Sequence, residues 1–215
     1  MIIAIDGPSA SGKSTTAKGV ADRLKILYVD TGAMYRALTY GFQENMIDIK
    51  NSKEIKDYVS NVKISFNRNN DVCLNDRCLS PEIRSKNITS KVSSVSALKP
   101  VREKMVNLQR EIANGESCIL EGRDIGTVVF PNAEYKFFLI ANLEDRAKRR
   151  MLDLKSDGEV NSIEEVIEQI KKRDDLDSSR KNSPLRMSKD AVLIDTSYLS
   201  IKAQINKIVD IIINK

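Results

Sequence analysis

The chain has no histidine and no tryptophan among its 215 residues, and only three cysteines. Without histidine, hydrolysis by a Ser-His-Asp triad is excluded and the common zinc patterns lose a ligand type. Cys73, Cys78 and Cys118 cannot all pair with one another, so buried or idle thiols are expected rather than a disulfide framework. Apolar runs such as Phe137 to Ala141 and Ile211 to Ile213 fall far short of the roughly 18 residues that a spanning helix needs, so no membrane partner is expected. The first residues read as a strand running into Gly7 and not as a signal peptide, which points to the cytoplasm. Aromatics make up 5% of the chain, which leaves little for base stacking, and no recognised nucleic-acid-binding motif is present. There is no Asn-Lys-x-Asp motif for reading guanine either.

What is present is an ordinary globular composition, 41% apolar and 30% charged, with a net charge of +5 that suits an anionic ligand. Short apolar runs at Ile2 to Ile5, Ile26 to Val29, Ser117 to Leu120, Tyr135 to Ile140 and Val192 to Ile194 alternate with helical patterns. This alternation predicts an α/β fold whose central parallel sheet is covered by helices on both faces. Pro100 opens one helix and Asn114-Gly115 closes it, Ser162 and Glu165 have capping-box spacing, and Ile201, Ile205, Ile208 and Ile212 line a final helix. Alternating residues on either side of Asn67 to Asn70 predict a small antiparallel meander over about 62–79. The expected organisation is a single domain over 1–215. Its core is 1–35, 100–150 and 190–215, with an insert over about 36–99 and a lid over about 153–182, in which Lys155 to Ser162 is the candidate mobile segment.

Directly after the first strand, Gly7-Pro8-Ser9-Ala10-Ser11-Gly12-Lys13-Ser14-Thr15 matches the phosphate-binding P-loop. Small residues let backbone N–H groups wrap a polyphosphate, and the following helix presents its positive end. Lys13 suits neutralisation of the transferring phosphates and the Ser14 hydroxyl suits a magnesium ligand. A P-loop alone does not separate a switch, a motor and a kinase, but the length leaves little room for the added domains of most motors and helicases.

Behind the P-loop the chain carries Asp30-Thr31-Gly32-Ala33-Met34-Tyr35-Arg36, then Pro100 to Met105, Glu121 to Pro131 and Arg173 to Arg180. In that order these stretches resemble the bacterial cytidylate kinases over nearly the whole chain. The resemblance implies a P-loop kinase fold with a small insert in the acceptor-binding part. It also implies transfer of the γ-phosphoryl group from ATP, with Mg2+, to CMP or dCMP. It places the acceptor phosphate against Arg36, Arg123 and Arg180, the base against Ser93, Arg102 and Asp124, and the ribose against Arg173 and Asp177. Thr31, within the acceptor-binding motif, stands where many relatives carry serine, and Ser14 where some carry glycine.

Cytosine offers an amino donor at N4 and acceptors at N3 and O2, to which a carboxylate beside arginine and hydroxyl donors is complementary. Uracil reverses the first two, and opposed polar groups of that kind discriminate by roughly 10⁴-fold. Arg173, Asp177 and Arg180 are spaced four and three residues apart and so share one helix face. Arg146, Arg149 and Arg150 are further candidates to reach the transferring group. A kinase for another acceptor such as UMP, shikimate or a nucleoside stays open at this point, as does a basic nucleic-acid-dependent NTPase. Small-molecule partners and a monomer are the expectation.

Overall fold

The computed structural model describes residues 1–79, 82–156 and 161–214. The chain divides into two compact units, residues 1–28 with 116–215 and residues 29–115.

The first unit is built on strands that lie in a five-stranded sheet of order β2-β6-β1-β7-β8. The strands are β1 (Ile2–Asp6), β2 (Leu27–Asp30), β6 (Cys118–Gly122), β7 (Tyr135–Ile140) and β8 (Val192–Asp195). The β1–β6, β1–β7 and β7–β8 pairs are parallel, with Ile5 opposite both Glu121 and Phe137. Side chains alternate across the sheet, so Ile3 and Ile5 of β1 and Phe137 and Leu139 of β7 face the same layer. That layer is closed by Ala17, Val20 and Ala21 of α1 (Lys13–Leu24) and by Ile208, Val209 and Ile212 of α8 (Ile201–Ile213), the isoleucine-lined helix expected from the sequence.

Helices α6 (Leu143–Ser156) and α7 (Ile163–Ser179) pack around a second apolar cluster made of Ala147, Leu154, Val166 and Ile170. Ala10 of the P-loop packs against that cluster. The capping box is present: the Ser162 hydroxyl accepts from Glu165 N–H while the Glu165 carboxylate accepts from Ser162 N–H. Of the lid segment expected at 155–162, residues 157–160 lie outside the described residues.

The second unit contains α2 (Thr31–Glu44), α3 (Ser52–Asn61), α4 (Lys86–Ser96) and α5 (Lys99–Ile112), with a 3-10 turn at Glu82–Arg84. The meander is an antiparallel sheet of β3 (Ile64–Phe66), β4 (Val72–Leu74) and β5 (Arg77–Cys78). Helices α3 and α4 add to the expected elements; α3 buries only Ile55 and Val59, a stripe too short to stand out from the sequence. The expectation of idle thiols is corrected for two of the three cysteines. Cys73 and Cys78 are direct partners across the β4–β5 ladder, which brings their side chains to one face, and they form a disulfide, while Cys118 is a free, buried thiol.

Phe137, 1% exposed, sits at the centre of the first unit's apolar layer. Phe137→Ala is expected to lower unfolding stability by about 3–5 kcal/mol, seen as a fall in the urea midpoint at unchanged m.

Candidate active site

The loop between β1 and α1 is forced by its glycines. A Cβ on Gly7, whose φ is +153°, would stand 2.2 Å from the carbonyl oxygen of Leu139, and Gly12 takes the left-handed φ of +88° as it caps α1. Residues far along the chain hold this loop in shape. The Thr196 hydroxyl donates to Ser11 O (3.0 Å), and Arg149 donates to the hydroxyl and carbonyl oxygens of Thr196 (2.9 and 2.6 Å). Thr16 donates to Gln204 Oε1 (2.7 Å), beneath Gly12.

Lys13 is buried and its ammonium donates to Pro8 O at 2.7 Å. Burial, helped by the like charge of Arg123, lowers its pKa to about 7. An ammonium held this way is stabilised by any anion brought into the loop. Ser14 and Thr15 stand exposed on the first turn of α1. The exposed Ser14 hydroxyl is chemically suited to a magnesium ion, which prefers oxygen ligands. Among the described residues no cluster of three acidic or thiol side chains competes for that role.

Next to the loop, β1 ends in Asp6, whose carboxylate accepts from the N–H groups of Ile125 (2.9 Å) and Gly126 (2.8 Å). Those two residues open a π-helical turn, Ile125–Val129, directly after Arg123 and Asp124. Burial raises the Asp6 pKa to about 6, against the lowering effect of the two backbone donors. Arg123 Nε donates to Asp177 Oδ2 at 2.8 Å. Arg180 pairs with Asp124 at 3.7 Å and with Asp177 at 3.8 Å, all three side chains almost wholly enclosed. Burial alone would raise Asp177, yet the guanidinium groups of Arg123, Arg173 and Arg180 hold it below the usual carboxylate range. Burial would likewise lower Arg123, and the charge of Asp177 outweighs it. The structure thus gathers Arg123, Asp124, Asp177 and Arg180, expected separately for phosphate, base and ribose, into one alternating ion cluster.

Arg173 and the α6 arginines Arg146, Arg149 and Arg150 also belong to the first unit, whereas Thr31, Arg36, Ser93 and Arg102 belong to the second. Thr31 is buried at the start of α2, where Asp30 caps the helix by accepting from Ala33 N–H (2.8 Å). Arg36, one turn on, pairs with Asp30 at 3.3 Å, and Arg84 approaches the same oxygen at 3.9 Å. Ser93 is half-buried on α4. Arg102 is buried on α5 with its guanidinium 5.0 Å from the ring centre of Tyr35. Sequence reasoning missed Asp6, Asp30, Tyr35, Thr196 and Gln204. Asp30 and Tyr35 lie inside the motif that contains Arg36, so that motif could have flagged them.

A parallel sheet with a P-loop at the end of its central strand, flanked by buried arginine–carboxylate pairs, defines a P-loop kinase. The solved shikimate kinase of Bacteroides thetaiotaomicron shares this fold, at a TM-score of 0.50 and 12% identity over 100% of this chain and 99% of its own. A family model described as cytidylate kinase matches residues 3–214. The cytidylate kinase of Alkaliphilus oremlandii is 48% identical over 98% of this chain and 96% of its own. That of Bacillus anthracis is 45% identical over 98% and 95%. The chain therefore belongs to the cytidylate kinase family.

With Lys13 near pH 7 in the free protein and held charged by a bound polyphosphate, nucleotide binding takes up a proton at alkaline pH. The affinity for ATP is expected to fall about tenfold or more between about pH 7.5 and pH 9. Calorimetry in buffers of different ionisation enthalpy checks the proton uptake, and Lys13→Met should bind more weakly and lose that uptake.

Proposed function

We propose that this chain catalyses transfer of the γ-phosphoryl group of ATP to CMP or dCMP, yielding ADP and CDP or dCDP. The observation that carries the reading is the buried cluster of Arg123, Asp124, Asp177 and Arg180 beside the P-loop. It supplies cations for a phosphate and carboxylates for an amino group and a ribose in one place.

In this reading Gly7 to Thr15 wrap the donor phosphates with backbone N–H groups, and Lys13 neutralises the phosphate being transferred. Arg36, Arg123 and Arg180 hold the acceptor phosphate, exchanging their present carboxylate partners for phosphate oxygens. Asp124 accepts from the cytosine amino group, Arg102 and Ser93 donate to the ring acceptors, and Arg173 with Asp177 holds the sugar. Thr31 lines the acceptor side at the start of α2. Magnesium, held in part by Ser14, would supply further neutralisation of the phosphates.

An acceptor phosphate oxygen attacks the γ-phosphorus in line, the bond to the β–γ bridging oxygen breaks, and ADP leaves with that electron pair. The nucleophile is already anionic, so no side chain has to remove a proton; positioning and charge compensation carry the rate. We assign residues about 153–182 as the lid and about 36–99 as the acceptor-binding insert. The enzyme acts in the cytoplasm as a monomer, with no nucleic-acid or membrane partner.

A coupled assay with CMP, dCMP, UMP and AMP tests this. CMP and dCMP are expected to exceed UMP in kcat/KM by about 10²- to 10⁴-fold, and Asp124→Ala should collapse that preference. Equal rates on CMP and UMP would overturn the base-reading roles.

A further inference from the structure

Helix α6 carries Arg146, Arg149 and Arg150, and the structure gives the first two different duties at the P-loop. Arg149 spends its guanidinium on Thr196, which in turn supports Ser11. Arg146 instead donates to the carbonyl oxygen of Ser9 (3.2 Å) and pairs with Asp174 of α7 through its Nη1. Asp174 uses its other oxygen to accept from the N–H of the same Ser9 (3.1 Å). Both backbone groups of one P-loop residue are thus bonded by an arginine and a carboxylate that bond each other.

Three further observations bear on this ring. Arg146 and Asp174 are largely enclosed, with side chains 11% and 19% exposed, so the carboxylate is what lets a guanidinium charge sit there. The buried Nε of Arg146 has no hydrogen-bond partner among the described residues, which leaves a donor on a group already fixed at the loop. Ala10, the next loop residue, packs into the α6–α7 apolar cluster, so loop and both helices meet at this point.

We propose that Asp174 is a positioning residue for phosphoryl transfer: it fixes Arg146 against the P-loop, so that Arg146, and not Arg149, meets the phosphoryl group in flight. This rests on the reading of the P-loop as the site of the ATP phosphates, but not on which acceptor is used. An arginine locked before the reaction contributes to charge compensation without reorganising, and Asp174 does the locking.

The test is a double-mutant cycle on the full chain, with kcat and KM measured for ATP and for CMP. Asp174→Ala and Arg146→Ala are each expected to lower kcat by at least about tenfold while KM for CMP moves less than about threefold. The Asp174→Asn/Arg146→Ala double variant should be no slower than Arg146→Ala within about threefold, because the amide keeps the acceptor for Ser9 N–H and the lost charge acts only through Arg146. Asp174→Asn keeps an acceptor for Ser9 but not the charge, so it should lose kcat in a chain that still folds, checked by a cooperative thermal transition. It carries the test if Asp174→Ala does not fold. The proposal is overturned if Asp174→Asn keeps wild-type kcat, if the two single losses multiply in the double variant, or if the loss lies in KM for CMP. Failure of the wild type to phosphorylate CMP would instead overturn the acceptor assignment, and the cycle, run with whichever acceptor reacts, would still decide the role of Asp174.

Discussion

The carboxylate of Asp6 ends the central strand by accepting from two consecutive backbone N–H groups, those of Ile125 and Gly126. One residue later the chain turns at Gly7 into the phosphate loop, and Arg123 and Asp124 stand immediately before Ile125. Together with the β1–β6 ladder, which sets Asp6 opposite Gly122, this buried side chain fixes Arg123 and Asp124 beside the loop. Two N–H groups at the head of a π-helical turn would otherwise be buried without acceptors, at a cost of about 1–3 kcal/mol each, so the arrangement is also a requirement of folding.

Charge is organised by alternation. Arg123, Asp177, Arg180 and Asp124 follow one another as cation and anion in an enclosed space where an unpaired member would be costly. Such a cluster is a weak source of net stability, because desolvation consumes most of the attraction. Under the proposed function its value is chemical: each guanidinium is dehydrated and oriented in advance for a phosphate that would replace a carboxylate. Lys13 differs from these arginines. It is buried with a backbone carbonyl as its nearest acceptor, and its affinity for the proton suffers accordingly.

Much of this was legible in the sequence where the signal is local. The P-loop, the strand Tyr135–Ile140, the Ser162 capping box and the isoleucine-lined last helix each announce themselves within a dozen residues. Arg123, Asp124, Asp177 and Arg180 were legible through motif resemblance, and the structure adds that they bond one another. What stayed hidden depends on long-range neighbours. Asp6 finds its donors 119 and 120 positions away, and Thr16 meets Gln204 across 188. No periodicity records such pairs. The Cys73–Cys78 disulfide was hidden for another reason: a count of three cysteines says nothing about register, and only the β4–β5 pairing makes two of them face each other.

The braces of the phosphate loop, Thr196 and Gln204, come from β8's end and from α8, far downstream of the residues they hold. During synthesis the loop leaves the ribosome early and waits, through the making of almost every other element, for these two side chains. A nascent chain thus carries the nucleotide-binding signature well before the two side chains that brace it have been made.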